Sequence, residues 1–298
     1  MSQDPASGLV PALEKRPIGI VGLGLMGTAL TERLLAHGYP VSIWNRTKAK
    51  ADLLIDQGAQ WCDNPFAACD RVILSLYSSD VVAEVVDQLQ GGRRTPQIVI
   101  DTTTGEPEQS AALAGRLASK GVRYLDAPIS GSSEQTRQGE ATVMVGGERS
   151  AFDDCADLWP VLGRMVFYLG GSGSAAKMKL VSNLVLGLNR AVLAEGLAFA
   201  DSIGVDRSAA LDVLKGSMAY SRVMDVKGRK MLDGDFRVQA RLSQHLKDVR
   251  LILQSAAAAG LPLPLSDVHR SLLEQAEAAG LGELDNSAIL QVWQRKSS

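Results

Sequence analysis

IGIVGLGLMGTAL, residues 18–30, is the stretch whose reading decides the fold. An apolar, β-branched run opens it, and an amphipathic helical pattern closes it. Between the two, Gly22, Gly24 and Gly27 stand in GxGxxG spacing. Glycines in that position let the backbone turn tightly and approach a pyrophosphate, whose charge then sits at a helix N-terminus. Gly22, Leu23, Gly24, Leu25, Met26 and Gly27 are therefore assigned to a dinucleotide loop. The alternative from these residues alone is a tight strand–helix turn without a ligand.

The chain continues the same way as far as Leu169. IGIVG, VSIWN, RVILSL, QIVID, VRYLDA and ATVMVGG read as strands. LMGTALTERLLAHG, KAKADLLIDQG, DVVAEVVDQL and PEQSAALAGRLASKG read as the helices between them. Such alternation predicts a parallel α/β sheet of Rossmann type. From Gly173 the strand signals stop and helical patterns take over, the first spanning about 45 Å if some 30 residues rise 1.5 Å each. That helix is apolar nearly all round, which places it at the centre of an all-α domain. The expected division is a disordered leader over 1–16, a nucleotide-binding domain over 17–172 and a helical substrate and oligomerisation domain over 173–298.

Composition narrows the function. The 298 residues are 46% hydrophobic and 21% charged, with a net charge of −2 and no basic block, so neither nucleic acid nor an acidic membrane surface is an expected partner. Three cysteines without CxxC spacing suit a reducing, cytoplasmic setting, and three histidines outside any ligand spacing leave no metal site to expect. Lys179, Asn183, Asn189, Arg190 and Glu195 interrupt the longest apolar stretch, so it does not read as a membrane span.

After the second strand an NAD site usually carries an acid to hold the ribose 2′-hydroxyl. Here Asn45, Arg46 and Thr47 stand there instead. Guanidinium and hydroxyl donors suit a 2′-phosphate, so the expected cofactor is NADP, with a solvated loop as the other reading of Arg46.

GSAAKMKLVSN, residues 173–183, puts two lysines into an apolar helix. At 100° per residue Lys177 and Lys179 point about 200° apart, whereas Asn183 lies one turn beyond Lys179 on the same face. A helix N-terminus close by would lower the lysine pKa. On the residues alone, Lys179 reads equally as a catalytic group or as half of a structural ion pair.

GLGLMG (22–27), DAPISGS (126–132), GSAAKMKLVSN and LKDV (246–249), in that order, resemble the motifs of the β-hydroxyacid dehydrogenases. These include 3-hydroxyisobutyrate dehydrogenase, tartronate semialdehyde reductase and the glyoxylate/succinic semialdehyde reductases. The resemblance implies that Lys179 is the general acid/base and that Asn183 holds the substrate. Ser130 and Gly131 would cradle a substrate carboxylate, joined by Ser132 where many members have glycine. Thr104, in DTTT (101–104), would touch the nicotinamide ribose. Leu76 and Tyr77 would lie on the cofactor-contacting loop, and Lys247 would reach the cofactor across the cleft. Asn45-Arg46-Thr47 resembles the NADP-preferring glyoxylate/succinic semialdehyde branch.

The chain departs from the family at Tyr77, where proline is usual, and at Val238 and Ala240, where a proline and a phenylalanine are common. The function expected is NADPH-dependent interconversion of a small carboxylate-bearing aldehyde or keto acid and its hydroxy acid, by a homodimer or homotetramer. The rival readings are an imine reductase, which lacks the lysine matching Lys179, and a silent NADP-binding adaptor.

Overall fold

The computed structural model describes residues 15–90 and 94–294, so the expected leader lies outside the described residues except for Lys15 and Arg16. Among the described residues there are nine strands: β1 (Ile18–Val21), β2 (Val41–Trp44), β3 (Gln60–Trp61), β4 (Arg71–Leu74), β5 (Ile98–Asp101), β6 (Arg123–Asp126), β7 (Ile129–Ser130), β8 (Thr142–Gly147) and β9 (Met165–Tyr168). Their order is β3-β2-β1-β4-β5-β6-β8-β7, with β9 beside β8. The first six are parallel in Rossmann order, reversing between β1 and β4, where such sheets bind dinucleotides at their carboxyl edge.

The expectation of a wholly parallel sheet is corrected at one end, where β8 runs antiparallel to both β6 and β7. After β6 the chain turns back through β7 and the short helix Ser133–Gln138. No long helix crosses the sheet there to return it for another parallel strand.

Alternate residues sort to the two faces. Ile18, Ile20, Ile43, Ile73, Ile98 and Ile100 join Leu30 and Leu34 of helix Leu25–Ala36 on one side. Val21, Val72, Leu74 and Val99 meet Val82, Val86 and Leu117 from helices Ser79–Leu89 and Pro107–Ala118 on the other. Strands buried on both faces give the continuous apolar runs of a doubly covered sheet.

The long helix runs from Ser174 to Ser202. It packs against β8, helix Leu242–Ala258 and helix Pro264–Ala276. By length and composition it could cross a membrane, with a mean hydropathy of 1.2, yet its inner positions Ala191, Leu193, Ala194 and Leu197 form a core with Leu246, Val249 and Leu273. One chain does not cover the helix on every side. Met178, Val181, Val185, Val192 and Phe199 form an exposed stripe, because the later helices cover only the opposite side.

The junction between sheet and helix rests on Asp126 at the end of β6. Its Oδ1 accepts the Gly173 N–H and its Oδ2 the Ala176 N–H, both at 2.9 Å. The first turn of a helix leaves N–H groups without partners, and a buried carboxylate answers two of them here. Asp126→Ala is therefore expected to lower folding stability by about 2–3 kcal/mol, from a lost cap and a buried N–H left unpaired. Urea denaturation checks this, and a loss below about 0.5 kcal/mol would contradict it.

Candidate active site

The carboxyl edge of the sheet and the start of the long helix enclose a cavity of about 780 Å³. Gly22, at φ +99°, turns β1 into the first helix; a Cβ there would stand 2.3 Å from the Ser75 carbonyl oxygen. That helix has no acid in its first turn and no side-chain cap, so its N-terminal amides remain for an anion. Gly22, Leu23, Gly24, Leu25 and Met26 line the cavity, and a side chain at Gly24 would meet nothing within 4 Å. The residues present thus fit the pyrophosphate of a nicotinamide dinucleotide.

Gly27 is not among the lining residues. A Cβ there would lie 1.9 Å from the Gly22 carbonyl oxygen, so its part is close packing of helix on strand.

Asn45, Arg46 and Thr47 line the same cavity at the end of β2. Asn45 is committed locally: its Oδ1 accepts the Leu23 N–H at 3.0 Å, and its Nδ2 donates to the Thr47 carbonyl at 2.8 Å. Asn45 therefore steadies the glycine loop, leaving Arg46 and Thr47, both exposed, as the free donors.

Leu76, Tyr77 and Thr104 line the next part of the cavity. The Leu76 N–H donates to Thr103 Oγ1 at 3.1 Å, a tie that the sequence reading missed. Lys247 does not line the cavity. Its Nζ donates to the carbonyls of Tyr77 and Thr104, each at 2.9 Å, with the ammonium 5.3 Å from the Tyr77 ring centroid. It clasps two cofactor-side loops to the helical half.

Ser130, Gly131 and Ser132 line the cavity opposite, with Ser130 Oγ 3.4 Å from Ser182 Oγ. Ser132 is less free than expected. Its Oγ accepts the Gln135 N–H and its own N–H donates to Gln135 Oε1, a capping box for helix Ser133–Gln138. Only its hydroxyl proton remains to offer a ligand.

Lys179 and Asn183 reach this cavity together, and Lys177 is exposed on another face of the helix. Lys179 is 6% exposed, and its Nζ donates to the Ile129 carbonyl at 2.8 Å. It forms no direct ion pair among the described residues, which removes the structural-pair reading. Burial pushes its pKa down to about 8; Asp248 opposes that and Lys247 adds to it. Asn183 Nδ2 donates to Asp248 Oδ2 at 2.9 Å, and Lys247 Nζ lies 3.3 Å from Asp248 Oδ1. Asp248 thus orients Asn183. Its signal was its place in LKDV, beside Lys247. A buried lysine titrating near 8, beside an oriented amide, can hand a proton to an oxygen or take one from it.

The model for the NAD binding domain of 6-phosphogluconate dehydrogenase matches residues 17–170, and that for the NAD-binding region of NADP-dependent 3-hydroxyisobutyrate dehydrogenase matches residues 173–293. Cytokine-like nuclear factor N-PAC of Xenopus tropicalis is 31% identical over 96% of this chain; the chain spans about half of that relative's length, 54%. Glyoxylate/succinic semialdehyde reductase 1 of Arabidopsis thaliana is 31% identical over 92% of this chain and 97% of its own length. The crystal structure of 3-hydroxyisobutyrate dehydrogenase from Salmonella typhimurium superposes with a TM-score of 0.85 at 25% identity, covering 93% of this chain and all of that one.

The environment of Lys179 makes a direct prediction. In protein labelled at lysine 13Cε, the Lys179 signal should titrate near pH 8. Asp248→Asn removes a charge that raises this pKa, so the midpoint should move lower. A midpoint that stays put or rises in the variant would contradict the arrangement.

Proposed function

The chain belongs to the β-hydroxyacid dehydrogenase family of nicotinamide-dependent oxidoreductases, and we propose that it uses NADPH to interconvert a small carboxylate-bearing aldehyde or keto acid and its hydroxy acid. The observation that carries this reading is the joint burial of Lys179 and Asn183 beside Ser130 in the cavity that also takes in the glycine loop. The nicotinamide, when bound, supplies or accepts a hydride. The chain's own residues align the partners and manage the proton.

Gly22 to Met26 would hold the pyrophosphate, Arg46 and Thr47 the 2′-phosphate, and Thr104 the nicotinamide ribose. Ser130 and the Gly131 backbone would bind the substrate carboxylate. Asn183, oriented by Asp248, would point the carbonyl at Lys179. In reduction the protonated Lys179 gives its proton to the developing alkoxide, and in oxidation neutral Lys179 removes the proton from the alcohol. The preference for NADPH is supported by Arg46 and by the missing acid after β2. The name of the matched 3-hydroxyisobutyrate dehydrogenase model, which is NADP-dependent, agrees with it.

A second reading, a nucleotide-binding adaptor without turnover, is favoured by the likeness to proteins named as nuclear factors. It differs in one assay, because it binds NADPH without consuming it. For assembly, we propose a cytoplasmic homodimer or homotetramer, supported by the exposed stripe of Val181, Val185, Val192 and Phe199.

Lys179→Ala should cut turnover of small semialdehydes by 10²–10⁴-fold or about that range, with NADPH affinity nearly unchanged. Lys177→Ala should do far less. Equal losses in both folded variants, or none in either, would sink the mechanism. Arg46→Asp should weaken NADPH binding by about 1.5–3 kcal/mol with little effect on NADH. Equal affinity of the unmodified protein for the two cofactors would refute the preference. For assembly, light scattering should find an oligomer that Val192→Glu with Phe199→Glu dissociates, and a monomer before substitution would refute it.

A further inference from the structure

Arg190 lies seven residues beyond Asn183 and eleven beyond Lys179, offsets that keep all three side chains on one face of the long helix. It lines the same cavity, about 10 Å further along the helix axis than Asn183. The residue is 4% exposed, and its Nε and Nη1 are buried without a hydrogen-bond partner. Even with burial pushing its pKa down to about 10, it is a cation at neutral pH.

Asp285 and Asp248 act on that charge, but among the described residues neither makes a direct ion pair or hydrogen bond with it. Asp285 acts on it from a distance but is engaged by Lys227 Nζ at 2.8 and 2.9 Å and by the N–H groups of Gln239, Ala240 and Ser287. Asp248 accepts from Asn183 at Oδ2, and its Oδ1 faces the Lys247 ammonium at 3.3 Å without a hydrogen bond. The neighbouring His245 and His269 are kept neutral, their pKa values pushed down by burial and then by Arg190 itself. The Nε2 atoms of both rings are likewise without partners. A buried guanidinium left in this state destabilises the fold unless something binds it. Unpaired buried charge in a cleft is a mark of a ligand site.

We propose that Arg190 receives a second carboxylate of the substrate, at the end remote from the reacting carbon. The substrate class is then an aldehyde that bears two carboxylates, and its hydroxy diacid. One carboxylate would lie at Ser130 and Gly131 and the other at Arg190. A planar guanidinium that lines the cavity and makes no hydrogen bond there suits a carboxylate. This refines the proposed oxidoreductase reading and rests on it for the chemistry, though not for the anion site.

The test compares 2-(hydroxymethyl)glutarate with 2-(hydroxymethyl)pentanoate, which keeps the skeleton and replaces the distal carboxylate by a methyl group. With NADP and the full chain, kcat/KM for the diacid should exceed that for its methyl-ended partner by about 10–100-fold, mostly through KM. Arg190→Met should bring the ratio to within about threefold, and Arg190→Lys should restore part of it. Equal kcat/KM for the pair in the unmodified protein, or a ratio untouched by Arg190→Met, would overturn the proposal.

A thermal measurement separates this from a structural role. Glutarate, and not butyrate, should raise the Tm of the unmodified protein. Arg190→Met should abolish that shift while raising the Tm of the unliganded protein by a few degrees, since it removes an unanswered buried charge. A lower Tm in Arg190→Met would make Arg190 a structural residue and refute the site. If neither substrate turns over yet glutarate still protects through Arg190, the oxidoreductase reading fails and the anion site stands. Without turnover or protection, both fail.

Discussion

The carboxylate of Asp126 joins the two halves of the molecule, and the position of every reacting group depends on that join. It ends β6 and accepts the first N–H groups of the long helix at Gly173 and Ala176. Burial raises its pKa, and those same backbone donors oppose that rise without cancelling it. With Ala176 fixed to the sheet, Lys179 falls one turn later and meets the Ile129 carbonyl, the residue before Ser130. The proton-handling group and the carboxylate cradle therefore come from two domains yet share one anchor. Lys247 makes a second tie between the halves by holding the Tyr77 and Thr104 loops.

Buried charge takes two forms here, and the contrast carries functional meaning. Lys227 and Asp285 are paired, and Asp285 also accepts the backbone N–H groups of Gln239 and Ala240, so this pair organises a loop at the cavity wall. Arg71 and Asp157 are similarly paired, by two hydrogen bonds, on the far side of the nucleotide domain. Lys179 and Arg190 are buried without such partners and both look into the cavity. Stability alone would favour apolar residues at those two positions. Placing cations there makes sense where a negative charge arrives with a ligand or develops in a reaction.

Much of this was legible in the sequence because it follows from local periodicity. The β-branched runs gave five of the six parallel strands, and GxGxxG in its strand–helix context located the cofactor loop. The angular separation of Lys177 and Lys179 was enough to say that one is exposed when the other is buried. β3 escaped because it has only two residues, and β9 because it is a half-exposed edge strand. The antiparallel β8 was found as a strand, but its direction depends on a return path that periodicity does not encode. The SSEQ at 132–135 carries the capping-box pattern, so the engagement of Ser132 could have been read. Arg190 was noticed only as an interruption of an apolar run, since its lack of a partner depends on where the fold places Asp248 and Asp285.

The most direct test of the account is the pH dependence of kcat/KM in both directions with a substrate that turns over. Reduction needs protonated Lys179 and oxidation needs the neutral amine, and burial sets the exchange between them near pH 8. The reductive profile should therefore hold below about pH 8 and fall above it, while the oxidative profile rises through the same region. Profiles that are flat from pH 6 to about 10, or that bend the same way in both directions, would mean that Lys179 does not move the proton.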